Sequence, residues 1–194
     1  DEFIDFTAIC ATGVYPSRPE LALVTNSGGI GVLMADAAAD VGLATPALSE
    51  AARKKIIKLA PFAVPGNPAD TGAAGLNIDF AEVMLGDENL PAVILFFAHL
   101  GLMPVFPDEI AAQLTGLRAR YPDRPILAVM NAQRDFISAM QDKGVFIMED
   151  ATRAVASVAI GRAAPRRRVR PRLRRSPCRT RARAFPANTP RGAS

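Results

Sequence analysis

The chain has 194 residues, which is enough for one domain with an apolar core and too few for two large ones. Its two cysteines, Cys10 and Cys178, lie far apart, which excludes a disulfide framework and the usual spacing of zinc ligands. The net charge of +4 is the sum of two unlike parts of the chain. Residues 1–160 form an acidic body with eleven Lys and Arg against nineteen Asp and Glu, and residues 161–194 form a tail with twelve arginines and no acid.

The start of the chain predicts a helix, since its apolar residues recur at helical spacing. These residues are Phe3, Ile4, Phe6 and Ile9. We expect residues 1–19 to connect this domain to another one. The acidic first residues do not resemble a secretory leader, and no stretch approaches the roughly 18 apolar residues of a membrane span. We therefore expect a cytoplasmic chain without membrane contact.

A buried strand followed by a helix is predicted next. Residues 21–24 form a short apolar run that stops at a glycine turn, and apolar residues then recur every three or four positions over residues 30–41. Ser49 is the predicted cap of a second helix that runs to about residue 59. Residues 61–75 contain three prolines and three glycines, so we expect an irregular loop there.

Strands and helices alternate along the remainder of the body. Asn77 is the predicted cap of a helix that ends at Leu85, and Pro107 marks the start of another helix. The clearest predicted strand, residues 92–97, has no polar residue, which is typical of a parallel strand covered on both faces. The predicted strands are residues 92–97, 126–129 and 145–148, and the helices that follow them begin near residues 107, 136 and 151.

This alternation predicts a three-layer α/β domain over residues 20–160. A parallel sheet of about five strands with right-handed crossovers, in a domain of this size, fits a flavodoxin-like fold. Residues 161–194 are rich in Arg, Pro and Ala, and their large apolar residues are Val169, Leu173 and Phe185. Because so little apolar surface can be buried there, we expect this tail to be disordered.

The glycine turn after the first strand is a candidate anion site. It comprises Asn26, Ser27, Gly28 and Gly29. Free backbone N–H groups and the positive end of the helix dipole converge at such a turn, which favours phosphate. Glycines let the backbone approach a ligand closely, and the Ser27 hydroxyl adds a donor. The alternative is that the glycines serve only tight packing between helix and sheet.

Three better-known glycine motifs do not fit this turn. A dinucleotide fingerprint that begins at Gly29 requires a small residue where Met34 stands. A Walker A loop requires Gly-Lys-Ser or Gly-Lys-Thr, which does not occur. A hydrolase elbow requires a glycine where Thr25 stands.

Several segments together resemble a known family. They are Leu-Val-Thr-Asn-Ser-Gly-Gly-Ile-Gly-Val-Leu-Met-Ala-Asp (23–36), Leu-Ser-Glu (48–50) and Gly-Asn-Pro-Ala-Asp (66–70), with residues 125–130 and 144–155 behind them. In order and spacing these segments resemble the last CoA-ligase-type domain of NDP-forming acyl-CoA synthetases, of which ADP-forming acetate–CoA ligases are the nearest members. The resemblance covers residues 20–159. Taken alone, the loop with Asp70 would be an ordinary crossover loop.

The resemblance implies a mechanism. Enzymes of this family make an acyl phosphate from acyl-CoA, pass the phosphoryl group to a histidine, and carry it to an ATP-grasp site that phosphorylates ADP. The helix after the glycine turn is one of two facing helices whose N-termini hold the phosphohistidine. Carried over, the phosphate-binding residues are Asn26, Ser27, Gly28 and Gly29, and the residues that shape the site edge are Asn67 and Asp70. No catalytic residue or metal ligand is implied in this chain.

The chain departs from the complete enzyme of that family. It lacks the CoA-binding domain, the domain with the phosphorylated histidine and the ATP-grasp module, so the last two are its implied partners. CoA, ATP or ADP, and Mg would belong to the complete enzyme, which we expect to be oligomeric. The family also has valine where Ala69 stands. We therefore expect a fragment that is inactive by itself.

Two other functions remain open from the sequence. Related domains occur as regulatory parts of protein-lysine acetyltransferases. Nothing in residues 1–160 distinguishes such a regulatory domain from a domain of a ligase. The basic tail would also suit binding to nucleic acid. However, it contains no lysine and no interleaved aromatic residues, and its composition resembles GC-rich DNA translated out of frame. We hypothesise that the tail is a frameshift product.

For three further residues a structural role or plain solvent exposure is the preferred interpretation over a functional role. His99 is the only histidine, but its surroundings do not match the Ser-His-Thr-Gly sequence around the phosphorylated histidine of the family. We expect a structural role for it. Asp36 and Asp40 are four residues apart on a predicted helix, which is typical of a solvated face.

Overall fold

The computed structural model of the chain describes residues 2–72, 78–87 and 89–163. The predicted cap Asn77 and almost all of the Arg-rich tail, residues 164–194, lie outside the described residues.

Strands and helices alternate along the described chain. The strands are β1 (Ala22–Thr25), β2 (Ala69–Asp70), β3 (Val93–Ala98), β4 (Ile126–Met130) and β5 (Phe146–Met148). The helices are α1 (Glu2–Thr12), α2 (Gly28–Asp40), α3 (Glu50–Leu59), α4 (Ile78–Leu85), α5 (Pro107–Arg120), α6 (Arg134–Asp142) and α7 (Ala151–Ala163). A 3₁₀ turn, Leu100–Leu102, follows β3.

The strands form one parallel sheet in the order β2-β1-β3-β4-β5. Within it, Val24 of β1 pairs with Ala69 of β2 on one side and with Leu95 of β3 on the other. This order and the helices on both faces are those of a doubly wound, flavodoxin-like domain. The predicted fold class is confirmed.

Successive side chains of β1 point to opposite faces of the sheet. Ala22 and Val24 lie in the core under α3, α4, α5 and α6, whereas Leu23 lies in the core under α1, α2 and α7. Each of the three is at most 4% exposed. Because both faces are covered, β3, β4 and β5 are apolar at every position and β1 is apolar up to its last residue, Thr25, which is why these four strands could be recognised as continuous runs.

Two predicted helix starts are confirmed in their detail. Ser49 accepts a hydrogen bond at its Oγ from the backbone N–H of Ala52, at 3.2 Å, which satisfies one free donor of α3. Pro107 occupies the first turn of α5, where its missing N–H costs nothing.

The short edge strand β2 lies in the loop that was expected to be irregular. Beside it, the Asn67 side chain bonds to the edge of β1: its Oδ1 accepts from the Leu23 N–H at 2.9 Å, and its Nδ2 donates to the Leu21 carbonyl at 2.8 Å. The side-chain amide of Asn67 thus bonds to the edge of β1 where the backbone of a longer β2 would otherwise pair with it. The Asn67–Pro68 peptide bond is cis.

The first helix packs on the domain. Ile9 is 2% exposed, and Arg153 of α7 donates two hydrogen bonds of 2.8 Å to the Asp5 carboxylate. Helix α7 continues to Ala163, three residues beyond the predicted end of the domain at residue 160. Near the end of α7, Gly161 is buried because it packs against α1, where an added Cβ would lie 3.4 Å from Ile9 Cγ1, whereas Arg162 and Ala163 are exposed.

Candidate functional site

The predicted turn lies at the carboxyl edge of the sheet, next to its topological switch point. The chain leaves β1 toward α2 on one face and leaves β3, its neighbour, toward α5 on the other face. In open α/β sheets, ligands bind in the crevice that opens where neighbouring strands diverge in this way. The structure therefore brings the turn after β1 to the usual position of a binding site in this architecture.

The turn is held by a buried threonine. Thr25 is 1% exposed, and its Oγ1 accepts a hydrogen bond from the Ser27 N–H and donates one to the Ser27 carbonyl, both at 2.9 Å. The N–H of Ser27 is thus engaged, and the first intrahelical donor of α2 is the N–H of Gly31, which bonds to the Ser27 carbonyl at 2.9 Å. The sequence did not single out Thr25, because nothing in its spacing shows that it closes the turn.

Three backbone N–H groups come between the bonded N–H groups of Ser27 and Gly31. The N–H groups of Gly28, Gly29 and Ile30 are in the first turn of α2, which has no intrahelical acceptor for them. Gly28 and Gly29 are exposed and Ile30 is half-buried. The Ser27 hydroxyl forms no capping bond. The turn therefore offers three convergent backbone donors and one hydroxyl at a positive helix end.

The glycines of this segment have different roles. A Cβ added to Gly29 would meet nothing within 4 Å, whereas one added to Gly31 would lie 3.0 Å from Thr25 Cγ2 and 3.3 Å from Pro68 Cβ. Tight packing therefore explains Gly31, but it does not explain Gly29. Neither Gly28 nor Gly29 has a positive φ, so a side chain at Gly29 would not force an unfavourable backbone angle, and blocked approach of a ligand is the effect that remains. What a side chain would occupy there is open space.

Asp70 and Asn67 lie on the β2 side of the turn and have unlike roles. The Asp70 Oδ2 is 3.2 Å from the position of a Cβ on Gly28, and its Oδ1 accepts from the Gly72 N–H at 2.8 Å. Asp70 thus lies at the edge of the site itself. The Asn67 amide bonds instead to the backbone of Leu21, Leu23 and Pro46, so it supports the loop that carries Asp70.

The carboxyl end of β3 borders the same edge. Ala98 has φ 53, which is uncommon for a residue with a side chain, and the pairing with β4 shifts register between Phe96 and Ala98. His99 follows, is exposed, and accepts a hydrogen bond at its carbonyl from the Leu102 N–H at 3.0 Å. The sequence could not reveal the backbone of Ala98, because alanine carries no preference for that conformation.

The turn is an open surface. Gly28 and Gly29 are exposed, and Asn26, Ser27, Gly28 and Gly29 do not line any of five prominent clefts of the described residues, whose volumes reach about 380 Å³. Beyond the turn, α2 presents Val32 and Leu33 to solvent, with exposed fractions of 62% and 46%. Asp36 and Asp40 are exposed farther along α2, as predicted. An apolar helix surface next to free amides suits a site that a second surface completes.

Neither a cluster of metal ligands nor a membrane-spanning helix occurs in the described part of the chain. Residues 2–72, 78–87 and 89–163 contain no group of three or more His, Cys, Asp or Glu side chains placed to hold a metal ion. Over the same ranges, no helix has the length and apolar character needed to cross a membrane.

Comparisons with known proteins point to one family. The family model described as the Ligase-CoA domain matches residues 21–161. No curated protein matches the chain.

The fold is shared with two solved proteins. PH0766 from Pyrococcus horikoshii OT3 aligns with a TM-score of 0.71 and 24% identity, over 82% of this chain and 38% of that one. The dinucleotide forming acetyl-coenzyme A synthetase 1 of Candidatus Korarchaeum cryptofilum, in complex with phosphate and ADP, aligns with a TM-score of 0.70 and 20% identity, over 82% and 36%. Its apo form gives the same values. The chain thus spans less than two fifths of each of these proteins.

Proposed function

Since the chain belongs to the Ligase-CoA domain family, we propose that it is part of an ADP-forming acid–CoA ligase. In that enzyme, acyl-CoA, phosphate and ADP give the acid, CoA and ATP. We propose that the Ser27–Gly29 turn holds the phosphoryl group while another domain carries it on a histidine. The acetyl-coenzyme A synthetase of similar fold was solved with phosphate and ADP, which supports this class of reaction.

The observation that carries the proposal is the open space at Gly29. The amides of Gly28, Gly29 and Ile30 are in the first turn of α2, and a Cβ at Gly29 would meet no atom within 4 Å. A glycine that is needed neither for its φ nor for packing leaves room for something outside the chain. A phosphoryl group has the charge and the acceptor oxygens that such amides bind.

The turn would act by electrostatics. Its donors are fixed before the ligand arrives, because Thr25 holds Ser27 and the helix holds the amides. Donors fixed in this way stabilise a transferring phosphoryl group without reorganisation. Asp70 opposes an anion at Gly28, so the phosphoryl oxygens would lie toward Gly29 and Ile30.

The rest of the site must come from outside the described residues. The turn is open, the neighbouring face of α2 is apolar, and the only histidine of the chain, His99, is at the end of β3. A second domain that docks on Val32 and Leu33 would cover the turn and exclude water. This requirement agrees with a chain that spans 36% of the acetyl-coenzyme A synthetase.

The proposal can be tested on the chain alone with N-phosphoimidazole, a small mimic of phosphohistidine. In a ¹⁵N-labelled sample, we expect titration to shift the amide signals of Gly28, Gly29 and Ile30 selectively. Imidazole without the phosphoryl group is the control and should leave them unchanged. The proposal fails if the three amides do not respond, or if they respond no more than the first-turn amides of α5.

A further inference from the structure

The largest of the five prominent clefts lies on the β2 side of the sheet, and no residue of the glycine turn lines it. Its volume is about 380 Å³. One wall comes from α3 and the segment before it, and the other comes from the loop before β2. We call it the α3 cleft, and its lining includes Thr45, Leu48, Arg53, Val64, Pro65 and Asn67.

Three donors of the α3 cleft have no acceptor among the described residues. Arg53 is exposed, and its guanidinium forms no ion pair or hydrogen bond with them, whereas the neighbouring Lys54 pairs with Glu50 at 2.6 Å. The Thr45 hydroxyl and the backbone N–H of Leu48 likewise have no partner in the described part of the chain. No described Asp or Glu lines the cleft. These unpaired donors and the positive charge favour an anion.

Apolar side chains form another part of the lining. Leu48 is 7% exposed and so lies deepest, whereas Val64 is 60% exposed. Pro65 beside it is half-buried. Small-molecule sites typically combine an apolar lining with a few placed polar groups. The α3 cleft has both within one concave surface.

The wall that carries Val64 is held in place by hydrogen bonds. Val64 and Asp70 exchange two backbone bonds, of 2.9 and 3.2 Å, and the Gly66 N–H bonds to the Val64 carbonyl at 2.9 Å. The Asn67 side chain ties the same loop to the Leu21 carbonyl at 2.8 Å. A cleft whose walls are already fixed loses little conformational entropy when a ligand binds.

We propose that the α3 cleft binds a small organic carboxylate, an acid with a short aliphatic chain. Arg53 holds both carboxylate oxygens with its planar fork of donors, and the Thr45 hydroxyl and the Leu48 N–H supply further bonds. The aliphatic chain packs on Leu48, Val64 and Pro65. The α3 cleft is separate from the glycine turn, so this inference does not rest on the proposed function.

Inorganic phosphate and neutral amides should bind the α3 cleft less well than a carboxylate does. Phosphate matches the donors of Arg53, but it has no aliphatic part to cover Val64. A neutral amide of the same shape has the aliphatic chain, but it lacks the charge that Arg53 pairs with. This order of ligands differs from that expected at the glycine turn, for which we propose a phosphoryl group.

Titration of the ¹⁵N-labelled chain with sodium butyrate at constant ionic strength tests the proposal. We expect saturable shifts of the amide signals of Thr45, Leu48 and Gly66. Butyramide, which has the same shape without the charge, is one control, and inorganic phosphate is the other. Neither should shift these three signals as strongly as butyrate at the same concentration.

Substitutions on α3 identify the group that binds the carboxylate. Arg53→Gln should weaken butyrate binding by about tenfold or more, because a charged hydrogen bond is lost. Arg53→Lys keeps the charge but not the fork, so its affinity should lie between those of Arg53→Gln and the wild type. The matched control is Lys55→Gln, which removes the same charge from an exposed position outside the cleft lining and should bind butyrate almost as the wild type does.

The proposal is overturned if butyrate gives no saturable shift at the three amides. It is equally overturned if Lys55→Gln weakens binding as much as Arg53→Gln, since overall charge would then account for the effect. Shifts with phosphate or butyramide that equal or exceed those with butyrate would also contradict it. Both substituted positions are exposed, and unchanged amide signals from the five strands show that the variants are folded.

Discussion

Asp70 and Gly28 approach each other at the mouth of the candidate site, with the Asp70 Oδ2 at 3.2 Å from the position of a Cβ on Gly28. The other carboxylate oxygen is held by the Gly72 N–H at 2.8 Å. A negative charge is thus fixed beside a helix N-terminus that attracts anions. The two effects oppose each other at Gly28, and together they direct a bound phosphoryl group toward Gly29 and Ile30.

Asp70→Asn should therefore strengthen binding of inorganic phosphate to the turn. Asparagine keeps the acceptor for the Gly72 N–H and removes the charge. A charge at this range in a solvated site changes binding by on the order of 1 kcal/mol, or about fivefold. The measurement is a phosphate titration followed at the amide signals of Gly29 and Ile30.

Asp36→Asn is the control for this titration. Asp36 is an exposed carboxylate on the same helix, two turns from the site, and its removal should change the affinity much less. Equal effects of the two substitutions would show that only overall charge matters. Weaker binding in Asp70→Asn would contradict the role given to Asp70.

Gly31→Ala should destabilise the domain, in contrast to Gly29→Ala. The new methyl group at Gly31 would lie 3.0 Å from Thr25 Cγ2 and 3.3 Å from Pro68 Cβ. Crowding of this kind costs about 1–3 kcal/mol, and the better helix propensity of alanine recovers up to about 1 kcal/mol. The free energy of unfolding, measured with urea, should fall for Gly31→Ala and stay level or rise for Gly29→Ala. The reverse order would contradict the roles given to the two glycines.

Asp150 should stabilise the start of α7 in a pH-dependent way. Its carboxylate accepts from the Arg153 N–H at 2.8 Å and from the Thr152 hydroxyl at 2.7 Å. These bonds, the Arg153 N–H first, lower the pKa of Asp150 from its usual 3.8. Because the folded-state pKa is lowered, the stabilisation is complete above the unfolded-state pKa and is lost as the pH falls through the folded-state value.

The corresponding variant is Asp150→Ala. At pH 7 it should lose about 1 kcal/mol of stability, as is usual for a lost cap. The difference from the wild type should shrink once the pH falls below 3.8. Urea denaturation at a series of pH values checks this. A difference that stays constant across the series would show that the carboxylate charge is not involved.

The parts of the fold that the sequence predicted are those with a local pattern. The strands around Leu23 and Leu95 are continuous apolar runs because both faces of the sheet are covered, and Ser49 and Pro107 mark helix starts by their own chemistry. Strand β2 has only two residues and depends on the Asn67 amide. Its partners are more than forty residues away in the chain, so no local pattern could show it.

The candidate site was predictable in position but not in detail. A glycine turn after a buried strand indicates a helix N-terminus at the sheet edge, and the structure has one there. Which glycine faces open space depends on Thr25 and Pro68, which come from β1 and the loop before β2. The backbone of Ala98 depends on packing at the end of β3. Such relationships arise only when distant segments meet.

Replacing Gly29 with valine in the complete enzyme tests the central claim most directly. The side chain would fill the space proposed for the phosphoryl group, and its Cβ would meet no atom of this domain within 4 Å. The rate at which labelled phosphate reaches the enzyme's histidine is measured beside CoA affinity and the melting temperature. We predict a phosphorylation rate lowered by about 100-fold or more, with CoA affinity and melting nearly unchanged. Normal phosphorylation in a folded Gly29→Val enzyme would contradict the claim.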